Sequence, residues 1–278
     1  VYKRQAYFII MMLFASWCFL KFSKDVAIGI ILFSIFIYFG LTNMPWLPLI
    51  LIYGLIGFKI GGLKLSLTIV VSFLFITFTG VLPQALLSIY LCGIAVIISF
   101  ILGSSLGIWA AHNDKVSAFM RPINDTMQTM PSFVILIPFV MFFGIGEFTA
   151  LLAIIAYAFV PAMRYTEHGL RNLPETVIEA ARMIGCSQTQ LLWKVKIPLA
   201  MPVIMLGLNQ TIMFGLAMLV IAALVGTTGL GQLIYIGLSK ADFGTGMISG
   251  VSIALIAIIF DRTTPVSYTH LTLPTNHP

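Results

Sequence analysis

Long apolar runs alternate with short polar connections along this chain. Nine runs stand out: Ala6–Leu20, Val26–Leu41, Trp46–Phe58, Leu65–Thr79, Leu86–Ala111, Pro131–Phe143, Phe148–Met163, Leu199–Val225 and Met247–Phe260. The sixth extends back toward Ile123 if its flank is counted. A helix crossing a bilayer needs about 20 apolar residues, with a range near 17–25. Several runs reach that length only with their flanks, so the pattern predicts helices throughout and up to nine spans. One connection stands apart. Residues Arg164–Pro198 form the longest and most charged polar stretch, and a loop of that size inside a compact protein usually has structure and a job.

The loop carries helix punctuation. Asn172-x-x-Glu175 has the pattern of a capping box, with Pro174 suited to an early helical position. Gly185 is placed to end this helix in a left-handed turn. Ser187-x-x-Gln190 offers a second capping box, opening a helix that Pro198 is expected to disturb.

Composition narrows the class. Of 278 residues, 60% are hydrophobic and only 9% are charged, against about 25% charged in an ordinary soluble domain. Mean hydropathy is +1.06. Disorder and a soluble globule are excluded, and an all-α polytopic membrane protein remains. Cys18, Cys92 and Cys186 lie far apart with no CxxC spacing, which argues against metal and disulfide roles. His112 and His168 fall near membrane ends, and no metal cluster or hydrolytic triad is visible. Asp114, Asp125, Glu147, Glu167 and Asp242 lie in connections and read as solvated or structural.

The net charge of +6 is explained by where the charges fall. With the connection after the first span placed inside, the inside connections hold Lys21, Lys24, Lys59, Lys64, Lys115, Arg121, Arg164, Arg171, Arg182, Lys194, Lys196 and Arg262. The outside connections hold only Lys240. This is the positive-inside pattern. The basic balance therefore reads as topology plus general attraction to anionic membrane lipid. It is not a nucleic-acid face, which would need basic residues clustered on one surface with aromatics between.

Both ends are expected to be foreign. Val1–Gln5 (VYKRQ) and the start of Pro265–Pro278 (PVSYTH) can be encoded by DNA in which the second contains the reverse complement of the first, as a sequencing adapter on both ends of one fragment would give. The expected organisation is then residues 1–5 as adapter, 6–80 as N-terminal transmembrane helices, 81–264 as a second membrane-spanning core with its loop at 164–198, and 265–278 as adapter.

The loop also carries a motif. EAARMIGCSQTQLLWKVKIP (Glu179–Pro198) resembles the EAA motif of ABC-importer permeases: E-A-A, three residues, Gly, nine residues, Ile, one residue, Leu-Pro. Glu179, Ala180, Ala181, Gly185 and Pro198 match at their spacing, with Val195 in place of the Ile and Ile197 in place of the Leu. LGIWAA (106–111), RPINDTMQTMPSFV (121–134), FGIGEF (143–148), PLAMPVIMLGLNQT (198–211), GLGQLIYIGL (229–238) and IAIIFDR (256–262) resemble the glycine betaine/proline betaine, or osmoprotectant, importer permeases. The resemblance covers about Trp46–Arg262 and is weakest before Gly80.

The resemblance implies the type I ABC-importer permease fold with extra N-terminal transmembrane helices, in a bacterial plasma (inner) membrane. It implies a transport subunit and not an enzyme. The loop helix would couple to a cytosolic ABC ATPase through Glu179, Ala180, Ala181, Gly185, Val195, Ile197 and Pro198. An extracytoplasmic substrate-binding protein would deliver the osmolyte, and a second permease copy would complete the pathway. ATP and Mg would be bound by the partner, with no cofactor in this chain. The residues agree on that last point, since the chain lacks a G-x-x-x-x-G-K-[ST] phosphate loop. Contact with the partner and an internal structural role fit Glu179 equally.

The substrate path is less legible. Polar residues inside spans are costly and so are candidates: Gln128, Thr129, Asn209, Gln210 and Thr211. Hydrogen bonding between helices is the competing reading of the same residues. The resemblance implies glycine betaine or a related osmolyte as cargo, and the nearest alternative keeps the machinery and changes the cargo to choline, proline or another small amine. An ion-coupled secondary transporter is the alternative from a different class, and it predicts carboxylates deep inside spans. A membrane-embedded enzyme would need an acid–base or metal constellation.

Overall fold

The computed structural model describes residues 46–269, with side chains over 46–264. The two N-terminal runs, Ala6–Leu20 and Val26–Leu41, and the segment Val1–Gln5 lie outside the described residues. The chain divides into two compact units, Val1–Leu49 and Ile50–Pro278, and the features below belong to the second.

The described residues are helical. In chain order the helices are α1 (Trp46–Phe78), α2 (Leu82–His112), α3 (Asp114–Thr129), α4 (Ser132–Phe143), α5 (Glu147–Arg171), α6 (Glu175–Met183), α7 (Gln188–Val225), α8 (Leu230–Ser239) and α9 (Phe243–Thr269). Four of them, α2, α5, α7 and α9, are long and apolar enough to cross a membrane, and α1 reaches that length only with both of its two arms counted together.

The 33 residues of α1 are two helices, not one. Gly61 and Gly62 leave the helical region, and Gly62 takes φ +69°, ψ −163°, a conformation open essentially to glycine alone. The chain folds back there. The Tyr53 and Phe73 ring centroids lie 5.3 Å apart, whereas 20 residues of straight helix would separate them by about 30 Å. The Ser66 hydroxyl donates to Gly54 O at 2.9 Å across the same hairpin. The third and fourth runs are thus the two arms of a hairpin, with Lys59 and Lys64 flanking its tip.

The sixth run does not extend back to Ile123. Pro131 disfavours helical geometry in the residue before it, and Met130 accordingly sits at φ −68°, ψ 134°. The chain bends by 103° there. Amphipathic α3 and the 12-residue α4 are therefore separate elements. The seventh run, by contrast, is longer than its apolar stretch, because α5 continues to Arg171 and takes up the first residues of the long loop.

The core is built on α2, α5 and α7. On α2 a small residue recurs every fourth position: Ala95, Ser99, Gly103 and Gly107, all buried. This spacing lets helix backbones approach closely where lipid offers no hydrophobic drive for association. A Cβ on Gly103 would stand 2.5 Å from Phe159 O, and one on Gly107 2.6 Å from Met163 O. Ala150, Ala153, Ala158 and Ala162 answer from α5, fully buried. On α7, a Cβ on Gly207 would stand 2.7 Å from the Tyr165 side chain of α5, and one on Gly215 3.0 Å from Val96 and 3.3 Å from Cys92 of α2.

Large apolar side chains face outward, among them Leu55, Leu63, Phe78, Met141 and Phe142. So much contiguous apolar surface is what a membrane-embedded body presents. At the end of the core away from the long loop, Ser88 Oγ accepts from Leu230 N–H at 2.9 Å and fixes the start of α8. Asp242 accepts from the hydroxyl and N–H of Thr245 and caps α9; these bonds hold its carboxyl below the usual carboxylate range.

Candidate functional site

The long loop folds into a small, well-terminated unit. Helix α6 starts at Glu175 without a side-chain cap. The Asn172 capping box does not form. Asn172 ends α5 instead, its N–H donating to His168 O and its side-chain amide lying 2.9 Å from His168 Nδ1. The C-terminus of α6 follows the expectation. Gly185 takes φ +88°. Its N–H donates to Arg182 O at 2.9 Å, and the Cys186 N–H donates to Ala181 O at 3.2 Å. These two bonds are the Schellman pair, which satisfies carbonyls that the helix end would otherwise leave open. The second capping box also forms: Gln190 N–H donates to Ser187 Oγ at 3.3 Å, and Ser187 N–H to Gln190 Oε1 at 3.0 Å. Two local hydrogen-bonded stops thus bracket a two-residue turn.

Ala181 is buried, while Glu179 and Ala180 face outward. Beyond them Met183 and Ile184 are 89% and 84% exposed. Two bare apolar side chains on a rigid turn, with Glu175, Glu179 and Arg182 around them, make a knob suited to an apolar hollow in another protein.

Pro198 does not break the helix that follows. α7 runs unbroken from Gln188 to Val225, and the disturbance takes another form. Residues Leu191–Lys196 are π-helical, with Ile197 N–H donating to Leu192 O, five residues back. Pro198 has no N–H to give Lys194 O, and the widened turn just before it accommodates the ring. Val195 and Ile197 are half-buried there and Pro198 is exposed. The loop is therefore joined directly to a core helix.

The polar candidates divide. Gln128 is half-buried and Thr129 exposed at the 103° bend, with the Thr129 hydroxyl donating to Asp125 O at 2.8 Å. Thr211 is buried and donates to Gly207 O within its own helix at 2.8 Å. Gln210 is half-buried. Asn209 is 6% exposed, and its Nδ2 donates to Asp261 Oδ1 of α9 at 3.0 Å. Among the described residues, no hydrogen bond or ion pair joins positions 128–129 to positions 209–211.

A charged clasp lies beside the loop that sequence reasoning did not assemble. Arg171, at the end of α5, donates to Asp114 Oδ1 at 2.8 Å, to Glu167 Oε1 at 3.1 Å and to Ala110 O at 2.7 Å. The buried Ser117 hydroxyl donates to the same Glu167 oxygen at 2.5 Å. Arg164 pairs with Asp125 of α3. Asn124, also buried, donates to Met163 Sδ at 3.4 Å. The ends of α2 and α5 and the length of α3 are thereby tied together four residues before α6 begins. The partners are up to 61 residues apart in sequence, so no local spacing announces them.

The binding-protein-dependent transport system inner membrane component family matches residues 103–272. The chain is 40% identical over 224 residues to the glycine betaine/proline betaine transport system permease protein ProW of Escherichia coli, covering 81% of this chain and 63% of that one. It thus spans less than two thirds of that relative's length. It is 36% identical over 254 residues to the glycine betaine transport system permease protein OpuAB of Bacillus subtilis, covering 90% of each chain. In solved structures the fold is like that of a chain of the MetNI methionine ABC transporter in an inward-facing conformation, with a TM-score of 0.63 and 19% identity over 71% of this chain and 98% of that one. By the family match over residues 103–272 and the 36% identity across 90% of both chains with OpuAB, the chain belongs to the binding-protein-dependent transport system inner membrane components.

Proposed function

We propose that this chain is the membrane-spanning subunit of an ABC importer for glycine betaine, proline betaine or a related quaternary amine. The observation that carries the reading is the α6 knob, a helix closed by Gly185 that exposes Met183 and Ile184 and passes into core helix α7. A rigid helix transmits the closing motion of a cytosolic ATPase where a flexible loop would not. Glu179, Ala180, Ala181 and Gly185 form the docking element, and Val195, Ile197 and Pro198 its junction with α7. The loop then faces the cytoplasm, an external binding protein supplies substrate, and a second copy of this chain completes the path. ATP and Mg are held by the partner. ATP binding opens the spans outward, and hydrolysis resets them. The names of the relatives carry the choice of substrate.

The test is uptake by the whole complex, reconstituted in liposomes with its ATPase and binding protein. Radiolabelled glycine betaine should accumulate only with internal ATP, and excess unlabelled proline betaine should compete. Stronger competition by choline or proline would move the assignment to that amine. Uptake that ignores ATP and follows an ion gradient would overturn the reading in favour of a secondary transporter.

A further inference from the structure

We propose that Asn209 and Asp261 form an inter-helix latch that couples movement of α7 to α9 during transport; this rests on the importer reading above. Asp261 lies at the end of the apolar stretch of α9, and Asn209 lies inside the apolar α7. The amide Nδ2 donates to the carboxylate Oδ1 at 3.0 Å, while Asp261 Oδ2 is 3.8 Å from Arg262 Nε. Asp261 is half-exposed, and Asn209 is buried.

Stability alone is a poor account of the pair. Asn209 Oδ1 is buried without a hydrogen-bond partner, and an acceptor left unsatisfied in this way is destabilising. An apolar residue at position 209 would fill the same buried place without an unpaired acceptor. What the pair adds is direction and specificity. A hydrogen bond to a charged group has one register, whereas apolar side chains slide past one another. Its position gives that register a use. α7 is one continuous helix from Gln188, immediately after the α6 turn. A displacement at the knob enters α7 at its first turn and meets the latch about 30 Å along the helix. The latch passes it to α9, which the loop itself does not touch in sequence. Asn209 and Asp261 are positioning residues in this account.

Four variants of the complete complex test it, each read by substrate uptake and by substrate-stimulated ATPase activity. Asp261→Asn keeps an acceptor oxygen and should retain uptake within about threefold of wild type. Asp261→Leu and Asn209→Leu remove the bond and should lower uptake about tenfold or more while ATPase activity persists, so that more ATP is spent per substrate. The exchange Asn209→Asp with Asp261→Asn restores a donor and an acceptor and should recover uptake. Wild-type uptake in Asp261→Leu would overturn the latch, as would equal loss in Asp261→Asn and Asp261→Leu. Parallel loss of ATPase activity and uptake in the leucine variants, without recovery by the exchange, would reduce the pair to packing. Should Asp261→Leu fail to assemble, Asn209→Ala gives the same reading with Asp261 left in place. Failure of the wild-type complex to import any betaine is a separate result and bears on the importer reading alone.

Discussion

Gly185 sits at φ +88° with open space where a side chain would begin. Substitution there meets a backbone penalty and no clash. L-residues other than Gly pay roughly 1–2 kcal/mol in left-handed geometry, and Asn pays less because its short polar side chain bonds locally. The residue has to be judged through the turn it makes. If it relaxes to a right-handed conformation, the Schellman bonds at Arg182 and Ala181 open and the Met183–Ile184 knob loses its aim. Gly185→Val should therefore reduce uptake by about fivefold or more, since 1 kcal/mol is near that factor. ATP hydrolysis should become less responsive to substrate, while Gly185→Asn stays near wild type. Equal uptake by the Val variant and wild type would remove Gly185 from the coupling role.

At the scale of elements, what could be read ahead of the structure was what local chemistry decides. The Ser187–Gln190 box and the Gly185 turn each involve residues within six positions, and both form. The Asn172–Glu175 box is equally local but lost to a competitor: α5 persists to Arg171, and Asn172 serves that helix end instead. The Pro131 bend followed from the restriction on Met130, yet the apolar pattern alone argued for extension through it. Pro198 was expected to disturb its helix, and the π-helical turn shows the disturbance absorbed without a break. The Arg171–Asp114, Ser117–Glu167 and Asn209–Asp261 contacts were beyond reach, because these partners are 50 or more residues apart and meet only once helices have packed. The α2–α5 seam gives the element-level prediction. Gly103→Leu must displace backbone at Phe159 and Met163, not a flexible side-chain end, and overpacking of this kind costs about 1–3 kcal/mol. It should lower the melting temperature of the detergent-solubilised protein or prevent its recovery. Gly93→Ala on the same helix has nothing within 4 Å of the added carbon and should leave melting unchanged. Indistinguishable melting of Gly103→Leu and wild type would show that the seam is not close-packed.

For the whole molecule the charge pattern and the hairpin make one joint claim. Lys59 and Lys64 flank the tip of α1, while Arg164, Arg171, Arg182, Lys194 and Lys196 surround the α6 loop. If positive charge marks the cytoplasmic side, the hairpin tip and the knob face the same compartment. The turn before α5, at Ile145, then faces the opposite one. The arms of α1 are each about 15 residues, or roughly 22 Å of helix, shorter than the ~30 Å hydrocarbon core, so the hairpin's exposure cannot be assumed from length. Single cysteines decide it, in a background with Cys18, Cys92 and Cys186 replaced by Ala. Lys64→Cys and Ala180→Cys should resist a membrane-impermeant maleimide in intact cells and react once the inner face is opened. Ile145→Cys, at an exposed position, should react in intact cells. Labelling of Ala180→Cys from outside would invert the topology and remove the docking role from α6. Labelling of Lys64→Cys from outside, with Ala180→Cys protected, would leave the knob in place and make the hairpin a re-entrant element whose lysines serve something other than orientation.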